Sequence, residues 1–249
     1  MTVEGGMAVR RVGAGPEVVW IHGLGEQSAS FDAICAALPG FTHVLPDLPG
    51  YGRSAWPEAA ASLAITAGQL ARWIGGRRPF LVGHSMGGVL ATMIGELVPI
   101  AGIVDIDGNL SLGDCTFSAE AARYTLDEFR AGGFDAMRAR VAERGLTEPA
   151  LRSYHAALML ASPDVFHAHA IDLVAVSTLE GRVRRLGAIA ATAPVMFIAG
   201  LPGGICERSQ HLLDAHHIPW AGISPAGHWP FIDQPQLFAA AARAVLTRG

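Results

Sequence analysis

Short, mostly apolar runs recur along this chain, each closed by Gly, Pro or Asp. Val18-Val19-Trp20-Ile21 ends at His22-Gly23, and Thr42 to Leu45 ends at Pro46-Asp47. Phe80-Leu81-Val82 ends at Gly83, and Ile103 to Ile106 ends at Asp107-Gly108. Val195 to Ile198 forms a fifth run and Ile218 to Ile223 a sixth. Runs without a polar face suit strands that are covered on both sides. Met7 to Val12 reads as an edge strand. Ala-rich stretches of helical character lie between the runs: Phe31 to Leu38, Ser62 to Ile74, Gly87 to Leu97 and Gln234 to Thr247. The last carries Pro235 where a helix tolerates proline best, at its start. Alternating strand and helix predicts an α/β fold with a doubly wound, mostly parallel sheet.

The alternation stops between Ser111 and Arg185. This stretch offers no convincing strand and reads as helices over Ser118 to Ala131, Asp135 to Glu143, Glu148 to Ala161 and Pro163 to Thr178. A helical insertion between two strands predicts a lid over one end of the sheet. The expected division is a core of 1–110 and 186–249 with a cap of 111–185.

Composition narrows the function classes. Of 249 residues, 51% are hydrophobic and 16% charged, which argues for a large buried core. The formal charge of −4 comes without any Lys/Arg cluster, so no nucleic-acid partner is expected. Cys35, Cys115 and Cys206 are too far apart for a disulfide framework or a zinc site, which points to a reducing, cytoplasmic compartment. Met1 to Gly6 lacks the basic and apolar regions of a signal peptide. No apolar run reaches membrane-spanning length; the nearest, Gly87 to Gly102, is broken by Glu96 and Pro99. His167-Ala168-His169 and His216-His217 have no companion ligand at metal spacing, and no Gly-rich phosphate loop is present. Neither metal nor cofactor is expected. A homo-oligomer is compatible with the sequence.

The chemistry concentrates in three segments. Gly83-His84-Ser85-Met86-Gly87-Gly88 follows a strand and opens a helix, the setting of a nucleophile elbow. Small neighbours let the chain fold tightly around Ser85, and the turn lifts its hydroxyl above the sheet. Gly227-His228-Trp229-Pro230 lies after the last strand and before the final helix. An imidazole there can take a proton from Ser85 and return it to a leaving group. His22-Gly23-Leu24-Gly25 closes the first buried strand.

With these three motifs, and Pro46-Asp47-Leu48-Pro49-Gly50-Tyr51-Gly52 after the next strand, the chain resembles the α/β-hydrolase superfamily over nearly its whole length. The resemblance implies a catalytic triad with Ser85 as nucleophile and His228 as base. It implies an oxyanion hole made by the backbone N–H groups of Leu24 and Met86, with His22 structural. A Ser nucleophile implies acyl transfer through an acyl-enzyme, not the ester chemistry of a carboxylate nucleophile. A small or medium apolar carboxylic ester is the expected small-molecule partner. Carbon–carbon hydrolysis, thioester cleavage and cofactor-free perhydrolysis use the same machinery and stay open. So does a slow-turnover ligand sensor or signalling protein.

The acid departs from the commonest pattern of that superfamily. Where most members carry an aspartate, this chain reads Ala199-Gly200-Leu201-Pro202-Gly203-Gly204, and Glu207 comes late. Some branches place the acid one strand earlier. Asp107, the last residue before Gly108, fits that place, with Asp105 about 7 Å deeper on the same face. Asp107 is therefore the expected acid, with Glu207 and Asp105 as alternatives. Trp229 and Phe231, which follow His228, are the expected substrate-binding residues. The insertion adds Phe117, Tyr124, Phe129, Phe134, Met137, Tyr154, Leu158, Met159 and Phe166, divided between pocket and its own core.

Overall fold

The computed structural model describes residues 1–247. One sheet of eight strands runs through it: β1 (Thr2–Glu4), β2 (Met7–Gly13), β3 (Glu17–Ile21), β4 (Thr42–Pro46), β5 (Phe80–His84), β6 (Gly102–Ile106), β7 (Val195–Pro202) and β8 (Trp220–Ala226). Their order across the sheet is β1-β2-β4-β3-β5-β6-β7-β8. From β4 to β8 every pairing is parallel, while β1 and β2 are antiparallel. The expected α/β fold with a mostly parallel sheet is the fold observed.

Burial explains why the strands have no polar face. Val18, Val19, Trp20, Ile21, Leu81, Val82, Ile103 and Val104 are fully buried between the helices on the two sides. Each such side chain contributes roughly 1.5–3 kcal/mol by leaving water. Trp20 also needs a polar partner, and its indole N–H donates to His43 Nδ1 at 3.0 Å.

The edges differ from expectation. β2 is not the edge: β1 pairs outside it, with Val3 opposite Ala8. A strand of three residues is too short to show any alternation. The last strand starts at Trp220, not Ile218, because the Ile218 amide turns back to the carbonyl of Leu213 and closes the preceding helix. β8 carries Pro225, which an outer strand tolerates because its free side needs no donor.

Among the described residues, the regular elements between β6 and β7 are all helical and joined by short turns. The helix expected over Ser118 to Ala131 is broken into Phe117–Ala121 and Leu126–Glu128, followed by a wide turn over Phe129–Gly133. Thr125 caps the second piece: its hydroxyl accepts from the Glu128 amide while the Glu128 carboxylate accepts from the Thr125 amide. Phe134–Arg144, Pro149–Leu158 and Pro163–Thr178 follow the expected helices closely, the last two with Pro in their first turn. Phe129 and Phe166 stack with 5.8 Å between ring centres and Phe134 packs on both, giving this segment its own core. Met159, by contrast, is 54% exposed. Among the described residues no helix is long and apolar enough to cross a membrane. The three cysteines are free thiols.

Candidate active site

The carboxyl ends of β3, β5, β6 and β8 converge on one side of the sheet, where open α/β sheets form their sites. Ser85 joins β5 to the helix Met86–Gly95 in a left-handed conformation, φ 54° and ψ −116°. A Cβ on Gly83 would overlap the backbone of Gly87, and one on Gly87 would overlap the carbonyl of Ile21. The tight turn therefore needs glycine on both sides of Ser85. Asp107, at the end of the neighbouring β6, is the second left-handed residue here, φ 46°. Backbone strain of this kind costs about 1–3 kcal/mol per residue and collects at functional sites.

Asp107 is fully buried. The Gly200 amide donates to its carboxylate, 3.1 and 3.2 Å from the two oxygens. Its Oδ2 lies 3.9 Å from His228 Nδ1. That nitrogen faces the Gly204 carbonyl at 3.3 Å. Both neighbours of Nδ1 are acceptors, so the proton sits on Nδ1 and the lone pair on Nε2. Catalytic hydrogen bonds are often long without substrate, and 3.9 Å leaves only a small closure between Asp107 and the imidazole. Gly204 lies against the carboxylate, where a Cβ would overlap both of its oxygens. Burial pushes the Asp107 carboxyl well up, opposed by the Gly200 amide. Burial also lowers His228 to about 4, helped by the charge of His84 and opposed by Glu26.

The two rival acids are committed elsewhere. Asp105 is buried in an ion pair with Arg182, whose guanidinium also donates to the Asn109 carbonyl at 3.0 Å and the Thr92 hydroxyl at 3.2 Å. Glu207 opens the helix Glu207–Ala215 on the surface, 3.9 Å from His211. Of the three carboxylates, only Asp107 reaches His228.

Among the described residues the Leu24 amide makes no backbone hydrogen bond, and the Met86 amide, at the first position of its helix, has no acceptor within that helix. Leu24 and Ser85 line one chamber with His228, Trp229, Phe117, Tyr154 and Leu173. Phe231 does not line it. It is packed in the core against Phe31, Phe238 and the edge of His84, so it supports the site from beneath. Being next to a histidine in sequence says nothing about which way a ring points. Of the insertion's nine candidates, Phe117 and Tyr154 line the chamber. His22 ties its loop down: Nδ1 bonds the Gly23 carbonyl at 2.9 Å and Nε2 accepts from the Leu48 amide at 3.0 Å. His167 bonds the Tyr124 carbonyl and His169 the Tyr51 hydroxyl, so both are used in packing.

Glu26 is a site residue that the sequence pattern did not single out. It is buried and accepts from the Gly23 amide at 2.8 Å, the Trp229 indole and His84 Nδ1 at 3.0 Å. His84 Nε2 donates to the His228 carbonyl at 2.7 Å. Burial alone would raise the Glu26 carboxyl, but the charge of His84 and these hydrogen bonds outweigh it and hold it at about 2. One carboxylate thus joins the loops that carry Leu24, Ser85 and His228. Glu26→Leu leaves His84 without its buried partner, at a cost of about 3–5 kcal/mol. The expected result in a thermal melt is a midpoint lower by roughly 10 °C.

Comparison with known proteins agrees with this fold. The model of the alpha/beta hydrolase family matches residues 18–241. An esterase of Mycobacterium tuberculosis is 33% identical over 116 residues, 45% of this chain and 37% of that protein. A probable serine hydrolase of Drosophila melanogaster is 30% identical over 99 residues, 36% of this chain and 30% of that protein. The chain therefore matches only about a third of the length of these curated relatives. Among solved structures, an esterase from Thermogutta terrifontis is similar at a TM-score of 0.77 and 22% identity, covering 96% of this chain and 92% of that one. An enol-lactonase from Burkholderia xenovorans is similar at a TM-score of 0.79 and 17% identity, covering 97% and 96%. At these identities the structural likeness establishes the fold. The family match spans nearly the whole chain, and the chain belongs to the alpha/beta hydrolase family.

Proposed function

We propose that the protein is a serine hydrolase that cleaves a small or medium carboxylic ester through an acyl-enzyme on Ser85. The observation that carries this reading is the placement of Ser85 and His228 on one chamber, with Asp107 as the acid within reach of the imidazole. His228 Nε2 takes the Ser85 proton as the hydroxyl oxygen attacks the ester carbonyl. The Leu24 and Met86 amides receive the oxyanion, each worth about 3 kcal/mol in such sites. His228 then protonates the departing alcohol, and water releases the acid by the same steps in reverse order. The esterase and serine-hydrolase relatives support this reaction class.

Space divides the substrate. The chamber beside Ser85 leaves room of about 20 Å³, while a groove of about 740 Å³ opens on the far side of His228 and Trp229. The leaving group must depart beside His228 Nε2, the nitrogen that protonates it, and not beside Nδ1, which faces Gly204 at the groove. The acyl group takes the chamber and is short. In a p-nitrophenyl ester series, kcat/KM is expected to peak at two to four carbons and fall about tenfold or more by eight. A rise toward eight carbons contradicts this division. Full labelling of Ser85 by a fluorophosphonate with negligible turnover on every acyl substrate would favour the ligand-sensor alternative.

The same site predicts a pH profile. Neutral His228 is the active form, and its pKa is lowered to about 4. Protonation of His228 alone would leave activity intact to about pH 5, but burial pushes the Asp107 carboxyl up, so the acid limb of kcat/KM against pH belongs to the His228–Asp107 pair. In Asp107→Asn, where only the imidazole of the pair titrates, the limb of the residual activity is expected to move to lower pH, and an unmoved limb would contradict the pairing.

A further inference from the structure

We propose that Asn109 Oδ1 is a specificity-determining acceptor that selects short acyl groups carrying a hydroxyl next to the scissile carbonyl. This inference rests on the serine-hydrolase reading and deepens it.

Asn109 lies two residues after Asp107 and lines the Ser85 chamber. It is only 2% exposed. Its Nδ2 donates to the Asp114 carbonyl at 3.1 Å and faces Cys115 Sγ at 3.7 Å. A carbonyl can only accept, so the amide cannot be turned over: the nitrogen must face Asp114. Oδ1 is then left as a buried oxygen with no hydrogen-bond partner among the described residues. Buried acceptors without donors are rare and invite an explanation. The backbone carbonyl of Asn109 is held by Arg182, so the residue cannot easily swing away to find one.

The chamber that Asn109 lines has two characters. Leu24, Phe117, Leu173 and Trp229 give its lining apolar surface, and Thr116 and Ser118 add hydroxyls to it. A purely alkyl acyl group would cover Oδ1 without giving it a donor. A hydroxyl would satisfy it, with Thr116 and Ser118 able to accept or donate in turn. The room of about 20 Å³ admits one small polar group more readily than an amide with its further substituents. A site built around an unpaired polar atom rejects the analogue that leaves it unpaired, and the discrimination is expected to be about tenfold or more.

The test compares three esters of one alcohol on the purified full chain: glycolate, propionate and methoxyacetate. Propionate matches glycolate in size without the hydroxyl. Methoxyacetate keeps the electron-withdrawing oxygen and lacks the donor. Each kcat/KM is divided by the ester's own rate with hydroxide. The expected result is glycolate ahead of both by about tenfold or more, and a ratio near one in Asn109→Leu. Equal corrected values in the unmodified protein overturn the proposal, as does a preference that survives Asn109→Leu. If that variant does not fold, the ratio in the unmodified protein decides alone. Failure of a fluorophosphonate to label Ser85 would instead overturn the serine-hydrolase reading, and this inference with it.

Discussion

Ser85→Ala is expected to lower kcat/KM for a good ester substrate by roughly 10⁴- to 10⁶-fold, the range found when a serine nucleophile is removed from an intact triad. The substitution removes one oxygen and leaves the turn as it is. The left-handed backbone at Ser85 is as accessible to Ala as to Ser, and the Ser85 amide still donates to the Ile106 carbonyl at 2.7 Å. The melting temperature should therefore stay within a few degrees of the unmodified protein. Steady-state kinetics with a p-nitrophenyl ester, beside a thermal melt, checks both parts. Retention of more than about a tenth of the activity would show that another group attacks the ester.

Asp107→Asn has the second largest expected effect, a loss of about 10²- to 10⁴-fold in kcat. The amide can still accept from Gly200 N–H through its oxygen, so the loop keeps its anchor. It carries no charge with which to stabilise the imidazolium that forms as Ser85 loses its proton. It can also present N–H to His228 Nδ1 and favour the wrong tautomer. The same change at Glu207 is expected to cost less than about twofold, because that carboxylate faces solvent near His211. Full activity in Asp107→Asn would contradict the acid assignment made here.

These assignments draw unequally on the sequence. Ser85 and His228 were legible as candidates because each sits in a short motif whose glycines have a local reason, and because each motif has a strand before it. The parallel sheet was legible because buried strands carry no polar alternation to confuse with anything else. The choice of acid was harder. Three carboxylates were in play, and what separates them is long-range: Asp105 is taken by Arg182, which comes 77 residues later, and nothing near either residue announces the pair. Glu26 was missed for a similar reason. A single acid in a loop reads as solvated until its partners His84 and Trp229 arrive from two other strand ends. The break after Ala121 had a readable signal, Thr125-x-x-Glu128, which the surrounding helical composition masked. Phe231 misled because sequence proximity to His228 carries no information about side-chain direction.

The central claim is that the Ser85 hydroxyl, activated by His228, is the atom that attacks the substrate. Peptide mass mapping after treatment with a fluorophosphonate tests it most directly. One adduct per chain, on the peptide that contains Ser85 and strongly slowed in His228→Ala, is the result expected. A folded protein that takes no adduct, or takes it on another residue, would contradict the account.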